Sequence, residues 1–317
     1  MTLSITRLPT LTILYGIALL LICIASRDAV ARDADRVVDI WPEFAPGEST
    51  RNIGETLPRR ANEDHPATRV KSITRPRLHV FHPPAPAANW SGASVLIFPG
   101  GAYNYVVTDK EGSEAADWLN RHGITGIVVH YRTKQAARTQ TNTDLPKLSE
   151  RPLQDGQRAV SLVRQHAGEW GLKPDRIGVL GFSAGGQAAA LVTTRFASRS
   201  YQSRDAVDEV SCRPDFSMLV YPWRLVDDET GQLRAVLKIS KETPPTLLIH
   251  AHNDSATSIS SVLFYVDLKR SGVPAELHIY ETGGHGYGMR PVRNSNVATW
   301  PARAADWLRR RGMTSDQ

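Results

Sequence analysis

From residue 77 onwards the chain sets short apolar, β-branched runs at regular intervals: RLHVF (77–81), SVLIFPG (94–100), GIVVHY (126–131), RIGVLGF (176–182), DFSMLVYP (215–222), TLLIHAH (246–252) and AELHIYE (275–281). Most are apolar at consecutive positions rather than at every second one, which is the pattern of a strand covered on both faces. Between them stand segments with helical spacing, EGSEAADWLNRHG, DGQRAVSLVRQHAGEWG, AGGQAAALVTTRFA and SSVLFYVDLKRSG, several closed by the glycine that sits just past a helix. Strands alternating with helices require crossover connections. The expectation is therefore one α/β domain over residues 76–317, a doubly wound, mostly parallel sheet with helices on both faces. WPARAADWLRRRG forms its last helix, with Trp300, Ala304, Trp307 and Leu308 on the side that meets the sheet.

The rest of the chain is less regular. Residues 32–75 are polar and rich in Pro, Arg and Glu, with no sustained period, and read as an irregular lead-in that wraps the domain, with Trp41, Phe44 and Ile53 as available anchors. Residues 132–153 and 224–243 read as long polar loops. Both follow strands at the end where α/β sheets bind ligands, which favours lids over idle excursions. At the amino terminus, Arg7 precedes the apolar run LTILYGIALLLICIA (11–25), and Ala29-Val30-Ala31 supplies the small residues of a cleavage site. This reads as a cleaved signal peptide over residues 1–31, and an exported protein, periplasmic or secreted, is expected. An uncleaved anchor is the alternative, against which the run falls short of the ~20 residues of a spanning helix. After cleavage Cys212 is the one remaining cysteine, so no internal disulfide is expected. The net charge of +6 comes from Lys and Arg scattered among acids, without a basic stripe, so no nucleic-acid partner is expected.

The stretch GFSAGG (181–186) follows RIGVL directly and places Ser183 in the spacing Gly-x-Ser-x-Gly. A strand that turns sharply into a helix at such a serine presents its hydroxyl at the top of the sheet, provided that the neighbouring side chains are tiny. The plain alternative is a polar residue in a tight turn, and the partners decide between the two. A nucleophilic serine needs a base, the base needs an orienting carboxylate, and the oxyanion needs backbone donors. His285 lies in TGGHGYG after the strand AELHIYE, among glycines that allow the backbone to approach closely and aim the imidazole. Of the other histidines, His122, His166, His250, His252 and His278 fall within helix or strand patterns and read as structural. Asp254 follows the strand TLLIHAH and is the expected acid. Its alternative is a helix cap, and Asp227 and Asp228 stand in reserve. Gly100 and Gly101, at the end of SVLIFPGG, and Ala184, just after the serine, are the expected oxyanion donors. Tyr103, Trp223 and Tyr287, with Tyr105 and Tyr221 nearby, are aromatics near the expected mouth that would either stack on sugar rings or simply pack. Neither a cluster with zinc-ligand spacing nor a phosphate-cradling loop occurs, so neither metal nor cofactor is expected.

The blocks LIFPGGAY, GITGIVVHYR, PLQDGQRAVSLVRQHAGEWGLKPDRIGVLGFSAGGQAAA, TPPTLLIHAHND, LKRSGVPAELHIYETGGHGYG and WPARAADWL resemble the α/β-hydrolase superfamily, from roughly Arg75 to Arg310. More narrowly they resemble its esterase and lipase branch that holds bacterial acetyl xylan esterases and related carbohydrate esterases. The resemblance implies Ser183, Asp254 and His285 as a triad, with Gly100, Gly101 and Ala184 at the oxyanion. It also implies removal of acetyl or other short acyl groups from a polysaccharide. The chain departs from relatives in carrying Ala102 where a third glycine is common, Gln187 where histidine is common, and Ser255 where a second acid is common. Two further readings stay open at this point. One is a serine peptidase of the same superfamily, for whose usual large extra domain 317 residues leave little room; the other is a silent scaffold that only binds a ligand.

Overall fold

A computed structural model describes residues 32–60, 63, 66–84, 89–134 and 145–315, with the backbone alone for 145–147; the signal segment expected over 1–31 lies outside the described residues. The strands are β1 (Arg36–Asp39), β2 (Glu55–Thr56), β3 (Arg69–Lys71), β4 (Arg77–Phe81), β5 (Ser94–Phe98), β6 (Tyr105–Val107), β7 (Thr125–His130), β8 (Ile177–Phe182), β9 (Phe216–Val220), β10 (Thr246–Ala251) and β11 (Ala275–Tyr280). The helices are α1 (Glu114–Asn120), α2 (Leu145–Gln165), α3 (Ser183–Thr194), α4 (Ile259–Arg270) and α5 (Trp300–Arg310). Eight strands form one sheet in the order β1-β4-β7-β5-β8-β9-β10-β11, parallel from β7 to β11 and antiparallel at β1 and β4. All seven apolar runs of the sequence are strands of this sheet.

The double coverage read from those runs follows the side-chain alternation of a strand, in which successive residues face opposite ways. Leu96, Phe98, Ile127, Val179, Leu219 and Leu248 join α2, α3 and α4 in one core cluster. Their neighbours Val95, Ile97, Val128, Leu180, Met218 and Leu247 join α1 and α5 in a second. In α5, Trp300, Ala304, Trp307 and Leu308 are all buried, as the stripe requires.

The crossovers diverge at one point. From β5 the chain passes through α1 to β7 on one side, then returns through α2 to β8 on the other side of β5. Such a switch of direction opens a crevice beyond the carboxyl ends of the two central strands. The loop Pro99–Ala102 and Ser183 both sit at those ends.

Two sequence expectations need correcting. Residues 132–153 are not loop throughout, because α2 starts at Leu145 and carries Pro152 inside it; residues 135–144 lie outside the described residues. The lead-in 32–75 is not simply irregular either. Its RVVD stretch is the edge strand β1, paired antiparallel with β4 (Arg36↔Val80), and β2 and β3 form a small sheet with β6. These short strands are polar and take their partners from distant sequence, so no local period marks them. Of the three anchors, Trp41 alone is deeply buried, and its indole N–H donates to Asp155 Oδ1 at 2.8 Å; Phe44 and Ile53 are exposed. The pairing of β3 with β6 places the lead-in directly behind the glycine loop, where Thr108 N–H donates to the Thr68 carbonyl.

Candidate active site

Ser183 stands at the junction of β8 and α3 with φ +54°, a conformation unfavourable for a residue with a Cβ and the mark of a strained elbow. The two glycines of the motif are there because nothing larger fits. A Cβ on Gly185 would fall on the Phe98 carbonyl, and one on Gly181 would fall on the Gly185 carbonyl and 2.7 Å from the Ala189 Cβ. Other non-glycine residues with positive φ gather around the same crevice: Ala102 (50°), Tyr103 (61°), Tyr221 (39°) and Arg224 (51°). Strain concentrated in this way persists only where the surrounding packing imposes it. Here the Trp223 amide donates to the Ser183 carbonyl at 2.9 Å, pinning the β9 loop onto the elbow.

The structure brings the three expected polar groups together. Ser183 Oγ lies 2.7 Å from His285 Nε2, and His285 Nδ1 lies 2.9 and 2.8 Å from Asp254 Oδ1 and Oδ2. An ionised carboxylate only accepts, so it takes a hydrogen bond from Nδ1–H and leaves Nε2 free to accept one from the serine hydroxyl. The Asp254 side chain is fully buried, whereas that of His285 is 29% exposed. Burial alone would raise the Asp254 pKa. Contacts from His250 and His285 and the Ala256 amide (2.7 Å to Oδ1) outweigh it and hold the carboxyl well below its ordinary value. The reserve acids are elsewhere: Asp227 and Asp228 pair with Arg234.

Sequence reasoning missed His250 as a neighbour of this carboxylate. It lies in β10, fully buried, with Nε2 3.2 Å from Asp254 Oδ2, at an angle short of a formed hydrogen bond, and Nδ1 2.8 Å from Ser261 Oγ. It missed Glu111 as well, a buried acid in the π-helical turn Asp109–Ser113 that leads into α1.

The expected oxyanion donors divide. The Gly100 N–H is already committed, donating to Glu111 Oε2 at 2.8 Å, which corrects its assignment as a donor to substrate. Gly101, with φ +136°, and Ala184 remain. Ala184 lies in the first turn of α3, where amides have no partner within the helix and the helix dipole favours negative charge.

The aromatics divide too. Tyr103 is 1% exposed, and its hydroxyl donates to Gln187 Oε1 at 2.9 Å. Tyr287 is 4% exposed and stacks edge-on against the fully buried Tyr221, so neither ring presents a face to a sugar. Both expectations are corrected, because the loops fold these rings inward against the core. Trp223 and Tyr105 are half-buried, and the Arg224 guanidinium lies over the Trp223 ring at 4.7 Å. Gln187 also donates to the Arg224 carbonyl at 2.9 Å, joining α3 to the 224–243 stretch. Beside it a small pocket is lined by Gln187, Leu191, Leu225, Arg234 and Leu237, one turn of α3 away from Ser183. Among the described residues no cluster of His, Cys, Asp and Glu has the makings of a metal site, and no helix is long and apolar enough to cross a membrane.

Known proteins resemble this chain in sequence and in fold. An acetylxylan esterase of Xylanibacter ruminicola is 28% identical over 225 residues, 63% of this chain and 42% of that protein. An endo-1,4-beta-xylanase B of Butyrivibrio fibrisolvens is 24% identical over 211 residues, 61% and 32% respectively. The chain thus spans less than half the length of these curated relatives. Among solved structures, the acetyl ester-xyloside bifunctional hydrolase from Caldicellulosiruptor lactoaceticus superimposes with a TM-score of 0.67 at 29% identity, covering 89% of this chain and 98% of that one. The Thermogutta terrifontis esterase Est2 shares the fold, with a TM-score of 0.64 at 19% identity over 83% of this chain and 96% of that one. The sheet order and these likenesses make the fold that of an α/β hydrolase. Residues 113–312, more than half of the chain, match the model of the prolyl oligopeptidase family, and the chain belongs to that family.

Proposed function

We propose that the protein is a serine carboxylic-ester hydrolase that removes acetyl or other short acyl groups from carbohydrate. The observation that carries this reading is the continuous relay Ser183–His285–Asp254 at 2.7 to 2.9 Å, set at the carboxyl ends of β8, β10 and β11. Ser183 Oγ attacks the ester carbonyl carbon as its proton passes to His285 Nε2, and Asp254 stabilises the imidazolium so formed. The negative charge that develops on the carbonyl oxygen falls to the N–H groups of Gly101 and Ala184, each such donor being worth about 10²–10³ in rate. Collapse breaks the ester bond, and the leaving alkoxide takes the proton from His285 and departs as the alcohol. Water then gives a proton to His285 and attacks the acyl carbon, releasing the carboxylic acid and restoring the serine.

Carbohydrate as the alcohol side is supported by the names of the relatives and by Trp223, the half-buried ring whose backbone N–H is bonded to the Ser183 carbonyl. Export, which the amino-terminal segment directs in this reading, suits a polymeric substrate outside the cell. The test is release of acetate from acetylated xylan and of nitrophenol from short-chain nitrophenyl esters by the purified protein. An aminoacyl-anilide serves as the peptidase control, since the family is named for peptidases. Ester hydrolysis that Ser183→Ala abolishes with the fold intact is the expected result; equal turnover by that variant, or turnover of the anilide alone, refutes it.

A further inference from the structure

The buried acids Asp155, Asp254 and Glu111 differ in what meets them. Asp155 is met by the Arg132 guanidinium and Asp254 by two histidines, whereas both oxygens of Glu111 are met by neutral donors. Oε2 accepts the Gly100 N–H at 2.8 Å and Oε1 accepts the Tyr221 hydroxyl at 2.9 Å. The Tyr221 oxygen in turn accepts the Gly288 N–H at 2.8 Å, three residues beyond His285, and the Tyr221 ring packs edge-on against the imidazole at 5.1 Å. The residue beside the acid repeats the connection: Lys110 Nζ donates to the Gly286 carbonyl at 2.8 Å, and the Lys110 carbonyl accepts the Met289 N–H at 3.0 Å. On the other side, a Cβ on Gly100 would lie 2.7 Å from Glu111 Oε2 and 2.9 Å from the Ser183 Cβ, so the glycine backbone is clasped between acid and serine.

A lone carboxylate in this position is costly. Burial raises its pKa, and Lys110, the Gly100 amide, Tyr221 and His285 offset that only in part. A group that merely filled space here would be better replaced by an apolar side chain. The π-helical turn that carries it is an irregularity frequent at functional sites.

We propose that Glu111 is a positioning residue for ester hydrolysis, holding the Gly100–Gly101 backbone against Ser183 and, through the Tyr221 hydroxyl, fixing the loop that carries His285. The inference rests on the function proposed above. Glu111 touches no reacting atom. It sets two halves of the site, the oxyanion loop and the base, in a single frame, with the orientation of Gly101 N–H following from the anchorage of Gly100.

Three variants test this with nitrophenyl acetate. Glu111→Leu, which keeps much of the volume and removes both acceptors, is expected to lower kcat about a hundredfold, the cost of a misplacement near 1 Å, with KM changed less than about threefold. Glu111→Gln still offers an oxygen to Gly100 and is expected to recover about tenfold of that loss; Tyr221→Phe reads the second arm alone and is expected to lose about tenfold. Thermal unfolding checks that the effect is not general. Because a raised carboxyl pKa means that ionisation opposes folding, the Gln variant should melt no lower than the wild type at pH 7. Labelling of Ser183 by a reactive organophosphonate, read by mass, follows serine reactivity without turnover. Wild-type hydrolysis with a folded Leu or Gln variant within threefold of it in kcat, or a loss expressed in KM alone, overturns the inference and leaves the function standing. A wild type that neither hydrolyses esters nor takes the label overturns the function, and the inference with it.

Discussion

Asp254 has a histidine on either side, and the two sides end differently. Toward solvent runs Asp254–His285–Ser183, at 2.8 and 2.7 Å; toward the core runs Asp254–His250–Ser261, at 3.2 and 2.8 Å. The same three residue types stand in the same order. Yet Ser183 has φ +54° at the mouth of a helix and faces a histidine that is 29% exposed, whereas Ser261 lies inside α4 and both it and His250 are fully buried. An acid, an imidazole and a hydroxyl in line therefore do not make a nucleophile. In the function proposed above, the outer arm differs by its strained elbow, by the amides of Gly101 and Ala184, and by access for an ester, and the inner arm serves as a prop.

That contrast predicts a graded series. Ser183→Ala and His285→Ala should each lower kcat by about 10⁶, because groups that act as a unit fail together. Asp254→Asn should cost about 10⁴, since an amide favours the wrong imidazole tautomer while leaving the geometry intact. Equal losses for an inner-arm and an outer-arm substitution, measured on one nitrophenyl ester, would erase the distinction. His250→Phe should lower kcat only about tenfold, about 1.4 kcal/mol of transition-state stabilisation, and His250→Gln, which can still donate toward Asp254, should recover most of it.

The acid also predicts a pH effect on stability. The Asp254 carboxyl is held below its ordinary value in the folded protein, so the folded state binds fewer protons than the unfolded one between that depressed value and about 4. The stabilisation is thus fully present above pH about 4 and is lost as pH falls toward the depressed value. The Tm difference between wild type and Asp254→Asn, followed by calorimetry from pH 6 to pH 3, should shrink; a difference that grows toward acid reverses the sign of the argument.

The outer arm was legible in the sequence and the inner arm was not, for a physical reason. GFSAGG encodes its elbow within six residues, and the glycines around His285 mark a loop that must pass close to other backbone. His250 sits in TLLIHAH, where nothing local separates a histidine packed among apolar neighbours from one that meets an acid four residues on. Glu111 escaped for a related reason, since its contacts to Gly100 and Tyr221 span 11 and 110 residues. One signal did exist: an acid at Glu111 shares the helical stripe of Ala115 and Trp118, and a charge on a buried stripe asks for an explanation. The fold was legible wherever strands are apolar through and through. Where β1 and β3 take their partners by backbone pairing at long range, side-chain pattern carried no trace. Whether an aromatic near the mouth offers a face or an edge, as for Tyr103 against Trp223, depends on loop geometry that composition does not encode.

The smallest effect belongs to the far end of the inner arm. Ser261 Oγ lies 2.8 Å from His250 Nδ1, and with the proton on Nε2, the nitrogen 3.2 Å from the Asp254 carboxylate, the hydroxyl is the donor. Ser261→Ala leaves that nitrogen with an unmet lone pair in a dry core, a loss of about 1 kcal/mol. For a domain of this size that lowers Tm by about 2–4 °C. The histidine keeps its place, because β10 is hydrogen-bonded to β9 and β11 on both edges and the ring is enclosed in the core. Turnover should therefore stay within about twofold of wild type, well under the 1.4 kcal/mol that marks a tenfold change. Calorimetry and nitrophenyl acetate kinetics on the one variant check both halves. A kcat loss as large as that of His250→Phe would mean that the inner serine tunes the acid through the ring, and the prop would then have to be regarded as part of the catalytic relay.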